Sequence, residues 1–281
     1  MQKILPFSRI AEAAPYMDAK VLHYINEGQI EAFESFPDFS VLSFDWYDVK
    51  QSEAECPQIL IYLDREDVFF FCETARAEER AGAVLTSLTG AGEEQSNGQM
   101  LYRFFARLIK DDTAYLDGLE AQITDAEDEV LAGGQRGYLG KITEFRRELL
   151  RLKRYYEQLD SIFDELAVND NGLFSEEFVR RFTILGGRTG RYLRNVGNLR
   201  EYVTQMREAY QSQIDIQQNE LMKIFTVVTV IFLPLTLLVG WYGMNFKMPE
   251  LNWPYSYPLV AAASVVIAVW LIVYFKKKKW F

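Results

Sequence analysis

Histidine and cysteine are scarce in this sequence. Among its 281 residues there are one histidine, His23, and two cysteines, Cys56 and Cys72. A lone histidine is more typical of a helix surface than of a metal ligand, and two cysteines fit a reducing compartment. Residues 1–222 also lack a metal-ligand cluster, a nucleophile motif and a glycine-rich phosphate loop. Enzymatic catalysis is therefore the least favoured class of function.

The sequence also lacks a signal peptide and an excess of basic residues in its N-terminal part. Met1 to Ala14 lacks the continuous apolar core of a signal peptide, so we expect none. Residues 1–222 carry 24 basic and 39 acidic side chains, a net charge of −15. Because of this negative charge, residues 1–222 are poorly suited to bind nucleic acid, but they would attract cations.

Two long apolar runs are present near the end of the chain. The first, Ile224 to Tyr242, has no charged residue, and the second spans Pro258 to Phe275. A helix rising 1.5 Å per residue needs about 20 residues to cross a hydrocarbon core of about 30 Å. The runs therefore predict two transmembrane helices, at 224–242 and 258–275.

The lysines around these helices predict their orientation. The loop at 243–257 holds one lysine, Lys247, whereas the tail at 276–281 begins with four. Because lysine-rich ends stay on the cytoplasmic side, we expect the tail there, and two spans place the N-terminus there too. The pattern predicts a multi-pass protein of the cytoplasmic membrane.

Residues 1–95 have the pattern of a small α/β domain. Val41 to Tyr47, Ile59 to Leu63 and Val68 to Cys72 are strand-like, and the polar turn Asp64 to Asp67 joins the last two as a hairpin. These runs are apolar on both alternating faces. We therefore expect a sheet that is covered by helices on each side.

Residues 96–172 change to a helical period. One pattern runs from Asn97 to Val130, and a second from Leu139 to Leu166, with Gly133, Gly134 and Gly137 between them. This predicts an antiparallel pair of helical arms. The acidic residues of the first arm indicate a solvated face, with divalent-cation binding as the alternative; they are Asp111, Asp112, Asp117, Glu120, Asp125, Glu127, Asp128 and Glu129.

A third helical pattern begins at Ser175 and continues without a proline into the first span. We expect a stalk helix at 173–223 that is continuous with the transmembrane helix, and Gly186, Gly187 and Gly190 leave room for a bend. Such a helix would link the cytoplasmic body mechanically to the membrane. A coiled-coil assembly stalk is the alternative reading.

One face of the first span carries a stripe at spacings of three and four residues. A ring of such helices could enclose a pore, with Phe225 and Leu233 as apolar constrictions and Pro234 as a kink. Ordinary packing between membrane helices is the alternative for any single position. The stripe contains Asn219, Met222, Phe225 or Thr226, Thr229, Leu233, Thr236 and Gly240.

The end of the first span carries a family motif. Tyr242 to Phe246 (YGMNF), then Met248 to Leu251 (MPEL) and a second span ending in lysines, resemble the CorA-type magnesium transporters. Asn219 to Lys223 and Phe232 to Thr236 are similar to that family too. The resemblance is specific over roughly residues 215–281 and architectural over the rest.

The resemblance implies a homopentamer with a funnel-shaped cytoplasmic domain and a pore lined by the first spans. Gly243, Met244 and Asn245 would form the selectivity filter, with Asn245 meeting the metal ion through ion-bound water. Glu250 would attract cations to the outer loop, unless it is a lone solvated acid. A basic collar, whose alternative role is lipid anchoring, would comprise Lys276, Lys277, Lys278 and Lys279.

The implied activity is channel-like influx of Mg²⁺, with Co²⁺ and Ni²⁺ as further substrates and no organic cofactor. Gating by intracellular Mg²⁺ is also implied, but the upper stalk, Phe182 to Arg188, lacks an acid. The sensing carboxylates are therefore unassigned. A Zn²⁺ transporter of the same superfamily and a membrane-anchored sensor or scaffold without transport are the alternatives.

Overall fold

A computed structural model describes residues 2–17, 21–22, 32–49, 56–88, 96–131, 137–245, 248–249 and 253–280. His23, Gly133, Gly134 and Glu250, named above, lie outside these ranges. By its internal contacts the chain forms two compact units, Met1–Arg207 and Glu208–Phe281. The predicted segments 1–95 and 96–172 both fall in the first unit, together with the beginning of the stalk helix.

A mixed sheet forms the base of the first unit. In the described residues its strands are β1 (Gln2–Pro6), β2 (Phe33–Ser35), β3 (Phe39–Asp45), β4 (Gln58–Asp64) and β5 (Val68–Cys72), in the order β1-β5-β4-β3-β2. β1 is parallel to β5, and the other pairs are antiparallel. The predicted β4–β5 hairpin is confirmed. Its turn is fixed by the Asp64 carboxylate, which accepts the backbone N–H groups of Glu66 and Asp67 at 2.8 and 2.6 Å.

Both faces of the sheet are covered, as the apolar strands predicted. On one face, Leu5, Tyr62 and Phe69 pack together under two 3₁₀ helices, Phe7–Glu12 and Ala14–Tyr16. The opposite face is aromatic and meets helices. Phe44 lies 5.7 Å from Phe105, Phe70 lies 4.9 Å from Phe104, and Phe105 lies 5.1 Å from Phe163, measured between ring centroids.

Six helices complete the described part of the chain. They are α1 (Ala75–Leu88), α2 (Asn97–Leu108), α3 (Asp112–Leu131), α4 (Tyr138–Val168), α5 (Glu176–Tyr242) and α6 (Ser256–Lys277).

The prediction of one helix from Asn97 to Val130 was wrong, because the chain breaks between α2 and α3. Ile109 leaves the helical region, at φ −93° and ψ 11°, and closes α2 with its N–H on the Phe105 carbonyl. The Asp111 carbonyl then accepts the N–H of Tyr115 at 3.2 Å and starts α3. Acidic residues favour a helix N-terminus, so this pair of aspartates can restart the helix.

The solvated acidic face predicted on the first arm also needs one correction. Asp112 is only 1% exposed, and its carboxylate accepts the hydroxyl of the buried Tyr156 at 3.0 Å. The other acids of the set are exposed or half-buried. Asp112 therefore belongs to the contact between α3 and α4 rather than to the solvated surface.

The stalk helix α5 runs without interruption through Gly186, Gly187 and Pro234. A methyl group at Gly186 would lie 3.3 Å from the Phe163 Cβ, and one at Gly190 would lie 3.4 Å from the Asp160 carboxylate. These glycines therefore let α5 approach α4 closely, whereas the sequence pattern had indicated a place for a bend.

Candidate functional site

Two helices, α5 and α6, are long and apolar enough to cross a membrane. Their most apolar windows have mean hydropathies of 2.3 in α5 and 2.4 in α6, and only 6% of each window is buried. A core helix of similar composition in a soluble protein would be mostly buried. The exposed apolar surface of α5 and α6 therefore requires lipid, or further protein, around it.

All predicted pore residues lie on α5, and all are exposed in the single chain. The exposed fractions are 62% for Met222, 66% for Phe225 and 64% for Leu233. A shallow groove runs along the part of this face nearest the end of α5. Four residues of the predicted stripe line this groove: Thr229, Leu233, Thr236 and Gly240. The other lining residues are Phe232, Leu237, Trp241 and Met244.

Two threonine hydroxyls of this face are oriented by their own helix. Thr226 donates to the Met222 carbonyl at 2.7 Å, and Thr229 donates to the Phe225 carbonyl at 2.8 Å. Because each hydroxyl hydrogen is used in this way, the oxygen lone pairs remain as acceptors. The face therefore offers uncharged oxygen acceptors between apolar side chains.

The predicted filter residues follow the last turn of α5. The Gly243 N–H donates to the Val239 carbonyl at 2.8 Å, and a Cβ at Gly243 would lie 2.9 Å from that same oxygen. Only glycine fits this turn without a shift of the backbone. Met244 and Asn245 come next and are exposed. The Asn245 amide makes no hydrogen bond to another described residue, so it is available to an ion or to its water.

The exposed face of α5 that carries the predicted stripe also carries acidic residues nearer the N-terminus, which the sequence prediction did not include. Asp215 lies one helical turn before Asn219, on the same face, and accepts the Gln211 amide at 3.2 Å. Glu208 lies a further two turns back and is exposed. The four-residue spacing between Asp215 and Asn219 could have indicated that both lie on the same face of the helix. The prediction stopped at Asn219 because it began from the apolar run.

The predicted basic collar lies at the end of α6. Lys276 and Lys277 occupy the last turn, where positive charge complements the helix dipole, and Lys278 and Lys279 follow it. All four side chains are exposed. Trp280 folds back so that its ring lies 5.5 Å from the buried Phe275 ring. A single chain does not close these lysines into a collar.

Comparisons with known proteins match nearly the whole chain. Residues 13–277 match the family described as "CorA-like Mg2+ transporter protein". The "Cobalt/magnesium transport protein CorA" of Thermotoga maritima is 30% identical over 274 residues, which cover 95% of this chain and 76% of that relative. The "Magnesium transport protein CorA" of Wolinella succinogenes is 33% identical over 199 residues, covering 66% of this chain and 58% of that relative.

A solved structure shares the fold. The complete CorA magnesium transporter from Methanocaldococcus jannaschii aligns with a TM-score of 0.79 at 22% identity, over 98% of this chain and 87% of that chain. The predicted architecture is thereby confirmed: an α/β domain with helical arms, a long helix continuous with the first apolar helix, and a second apolar helix. By these matches the chain is a divalent cation transporter and belongs to the CorA-like Mg²⁺ transporter family.

Proposed function

We propose that several copies of this chain gather around one axis, with the stripe of α5 lining a path that conducts Mg²⁺ into the cell. One observation carries the proposal. A helix fit to cross a membrane exposes one face of uncharged oxygen acceptors and ends in a glycine turn followed by the exposed Asn245 amide. The name of the Thermotoga maritima relative, a cobalt/magnesium transport protein, supports the choice of cargo. Co²⁺, and by extension Ni²⁺, would use the same path.

The chemistry of this face suits a hydrated ion. Mg²⁺ loses its water reluctantly and prefers six oxygen ligands. The amide oxygens of several Asn245 residues would accept hydrogen bonds from the water of the ion, so that it enters without dehydration. Thr229 and Thr236 would act in the same way further along. The stripe contains no histidine or cysteine, which disfavours selection of Zn²⁺ by soft ligands.

Gating would occur at the apolar positions of the same face. Phe225 and Leu233 are the large apolar side chains of the stripe, and rings of them would close the path by excluding water. Met222 is a flexible neighbour at the inner side. Asp215 would raise the cation concentration before this constriction, and Glu250, outside the described residues, would do so at the outer mouth.

The arrangement in the membrane follows from charge. Lys276 to Lys279 would place the tail on the cytoplasmic side of the plasma membrane, with the N-terminus on the same side. In an assembly the four lysines of each copy would form the basic collar at the inner end. The family resemblance gives five as the number of copies.

The test of this proposal is Asn245→Ala in proteoliposomes. We expect Mg²⁺ uptake to be abolished while the oligomer stays intact, because the ring loses its acceptors and no packing contact. Asn198→Ala is the control, since it removes an exposed amide from α5 before the second unit. Wild-type uptake by Asn245→Ala would remove the filter assignment, whereas a lack of uptake by the unmutated protein would favour a membrane-anchored scaffold.

Inhibition by intracellular Mg²⁺ is proposed as the regulation. Within the described ranges no group of three or more His, Cys, Asp or Glu side chains is arranged to hold a metal ion, and the sensing site is proposed to combine carboxylates of neighbouring copies. We expect millimolar Mg²⁺ to slow proteolysis of the purified oligomer relative to magnesium-free buffer. The same digestion pattern in both buffers would contradict Mg²⁺ as the closing signal.

A further inference from the structure

An arginine-lined groove lies between α4 and α5, within the first unit. Arg146, Arg147 and Leu150 lie on one face of α4 and form one wall, and Arg200 and Glu201 of α5 form the other. All five side chains are exposed. In the part of the chain that the structure describes, no ion pair or side-chain hydrogen bond engages the three guanidinium groups. The groove therefore collects positive charge that no described residue neutralises by direct contact.

The groove is basic, although the N-terminal part of the chain is acidic as a whole. Residues 1–222 carry a net charge of −15, yet the groove combines three arginines with one acid, Glu201. That carboxylate already accepts the Gln205 amide at 3.5 Å. Three guanidinium groups around one cleft repel one another, and a bound anion would relieve that repulsion.

The shape and lining of the groove narrow the class of anion. Its volume is about 520 Å³, within the range of small-molecule sites. Guanidinium groups bind phosphate oxygens in bidentate pairs and are preferred over lysine at such sites. Leu150 is 41% exposed and supplies an apolar surface in the same groove. A phosphate attached to an organic group fits this combination better than a bare inorganic ion.

We propose that this groove binds a phosphate-bearing organic anion, with Arg146, Arg147 and Arg200 holding the phosphate and Leu150 contacting the organic part. The same phosphate chemistry occurs in soluble nucleotides and in lipid headgroups, and the experiment separates these sources. The groove and the pore face share no residue. Binding here can therefore be measured without transport.

The experiment uses the full-length protein in phosphatidylcholine nanodiscs in a low-salt buffer free of divalent cations. Calorimetric titration with sodium ATP should give saturable binding that weakens with added KCl, and sodium phosphate should bind more weakly. In the double variant R147Q/R200Q, ATP binding should fall at least about tenfold, because charge-assisted contacts from both walls are lost.

The matched control is R154Q/R180Q. It removes one exposed arginine from α4 and one from α5, outside the groove, and should change ATP affinity less than about twofold since only long-range charge is altered. A third arm adds phosphatidylglycerol to the discs. A rise in melting temperature that is lost in R147Q/R200Q but kept in the control would assign the site to a lipid headgroup. No binding in any arm, or an equal loss in both double variants, would overturn the proposal.

Discussion

Asp112 is a buried carboxyl within the first unit. The pKa of its carboxyl is raised to about 7, chiefly by burial and also by the nearby Asp111 and Asp48, against the lowering effect of the hydrogen bond from Tyr156. Asp48 is itself paired with Arg80 at 2.6 Å. The contact between α3 and α4 therefore contains a carboxyl that changes charge near neutral pH.

This has a consequence for stability. The folded pKa of Asp112 lies above its unfolded value, so the stabilisation from proton binding is present at low pH and is lost as the pH rises from about 4 through about 7. Asp112→Asn keeps an acceptor for Tyr156 and removes the titration. We expect the variant to gain stability relative to wild type between pH 5 and pH 8, by at most on the order of 4 kcal/mol.

Melting of the full-length protein in detergent, followed by tryptophan fluorescence at several pH values, measures this difference. Asp125→Asn, an exposed change on the same helix, is the control and should show no such trend. A constant difference between Asp112→Asn and wild type across this pH range would show that the carboxyl does not titrate there.

At the scale of elements, glycines decide how closely the helices pack. A Cβ at Gly98 would lie 2.8 Å from the ring of Phe178 and 3.2 Å from that of Phe174. These two aromatics belong to the segment that begins α5. Gly98 therefore allows the start of α2 to lie directly against the start of α5.

Gly98→Ala should destabilise the protein by about 1–3 kcal/mol, because the added methyl group forces both rings to move. Gly118→Ala is the matched change, since Gly118 lies in α3 with nothing within 4 Å of an added Cβ. It should stabilise the protein by about 0.5–1 kcal/mol through helix propensity. Melting temperatures should thus move in opposite directions, and a rise for both would mean that the Gly98 contact is loose.

The elements differ in how far the sequence could predict them. The spacing of apolar residues predicted β4, β5 and α4, because it indicates which side of each element is buried. The break at Ile109, the burial of Asp112 and the close approach at Gly186 depend on partners distant in sequence, which periodicity does not register. At the ion path, spacing predicted the face of α5, whereas the role of Asn245 was implied by the family motif.

At the scale of the whole molecule, a single chain presents an incomplete path. Every predicted pore residue is exposed, and one helix face cannot enclose a lumen. The proposed pore would therefore need other copies of α5, with water between them.

Cross-linking between copies tests this arrangement. Thr229 lies on the stripe, and Leu238, half a turn round the same helix, lies on the opposite face. In a Cys56→Ser background, Thr229→Cys should be joined between copies by a short bis-maleimide in membranes, and Leu238→Cys should not. The native Cys72 should not interfere, because it is buried and burial raises the pKa of its thiol to about 12, which keeps it unreactive.

Native mass spectrometry of the same preparations gives the number of copies, for which the family resemblance predicts five. Cross-linking at Leu238 rather than at Thr229 would mean that the opposite face of α5 points inward, and the hydroxyl stripe would then face lipid or α6. Single copies in preparations that still transport Mg²⁺ would be harder to reconcile, because no described surface of one chain forms an enclosed path. In either case the acceptors of Thr229 and Asn245 could not act together on a hydrated ion, and cation transport would need a different route through the protein.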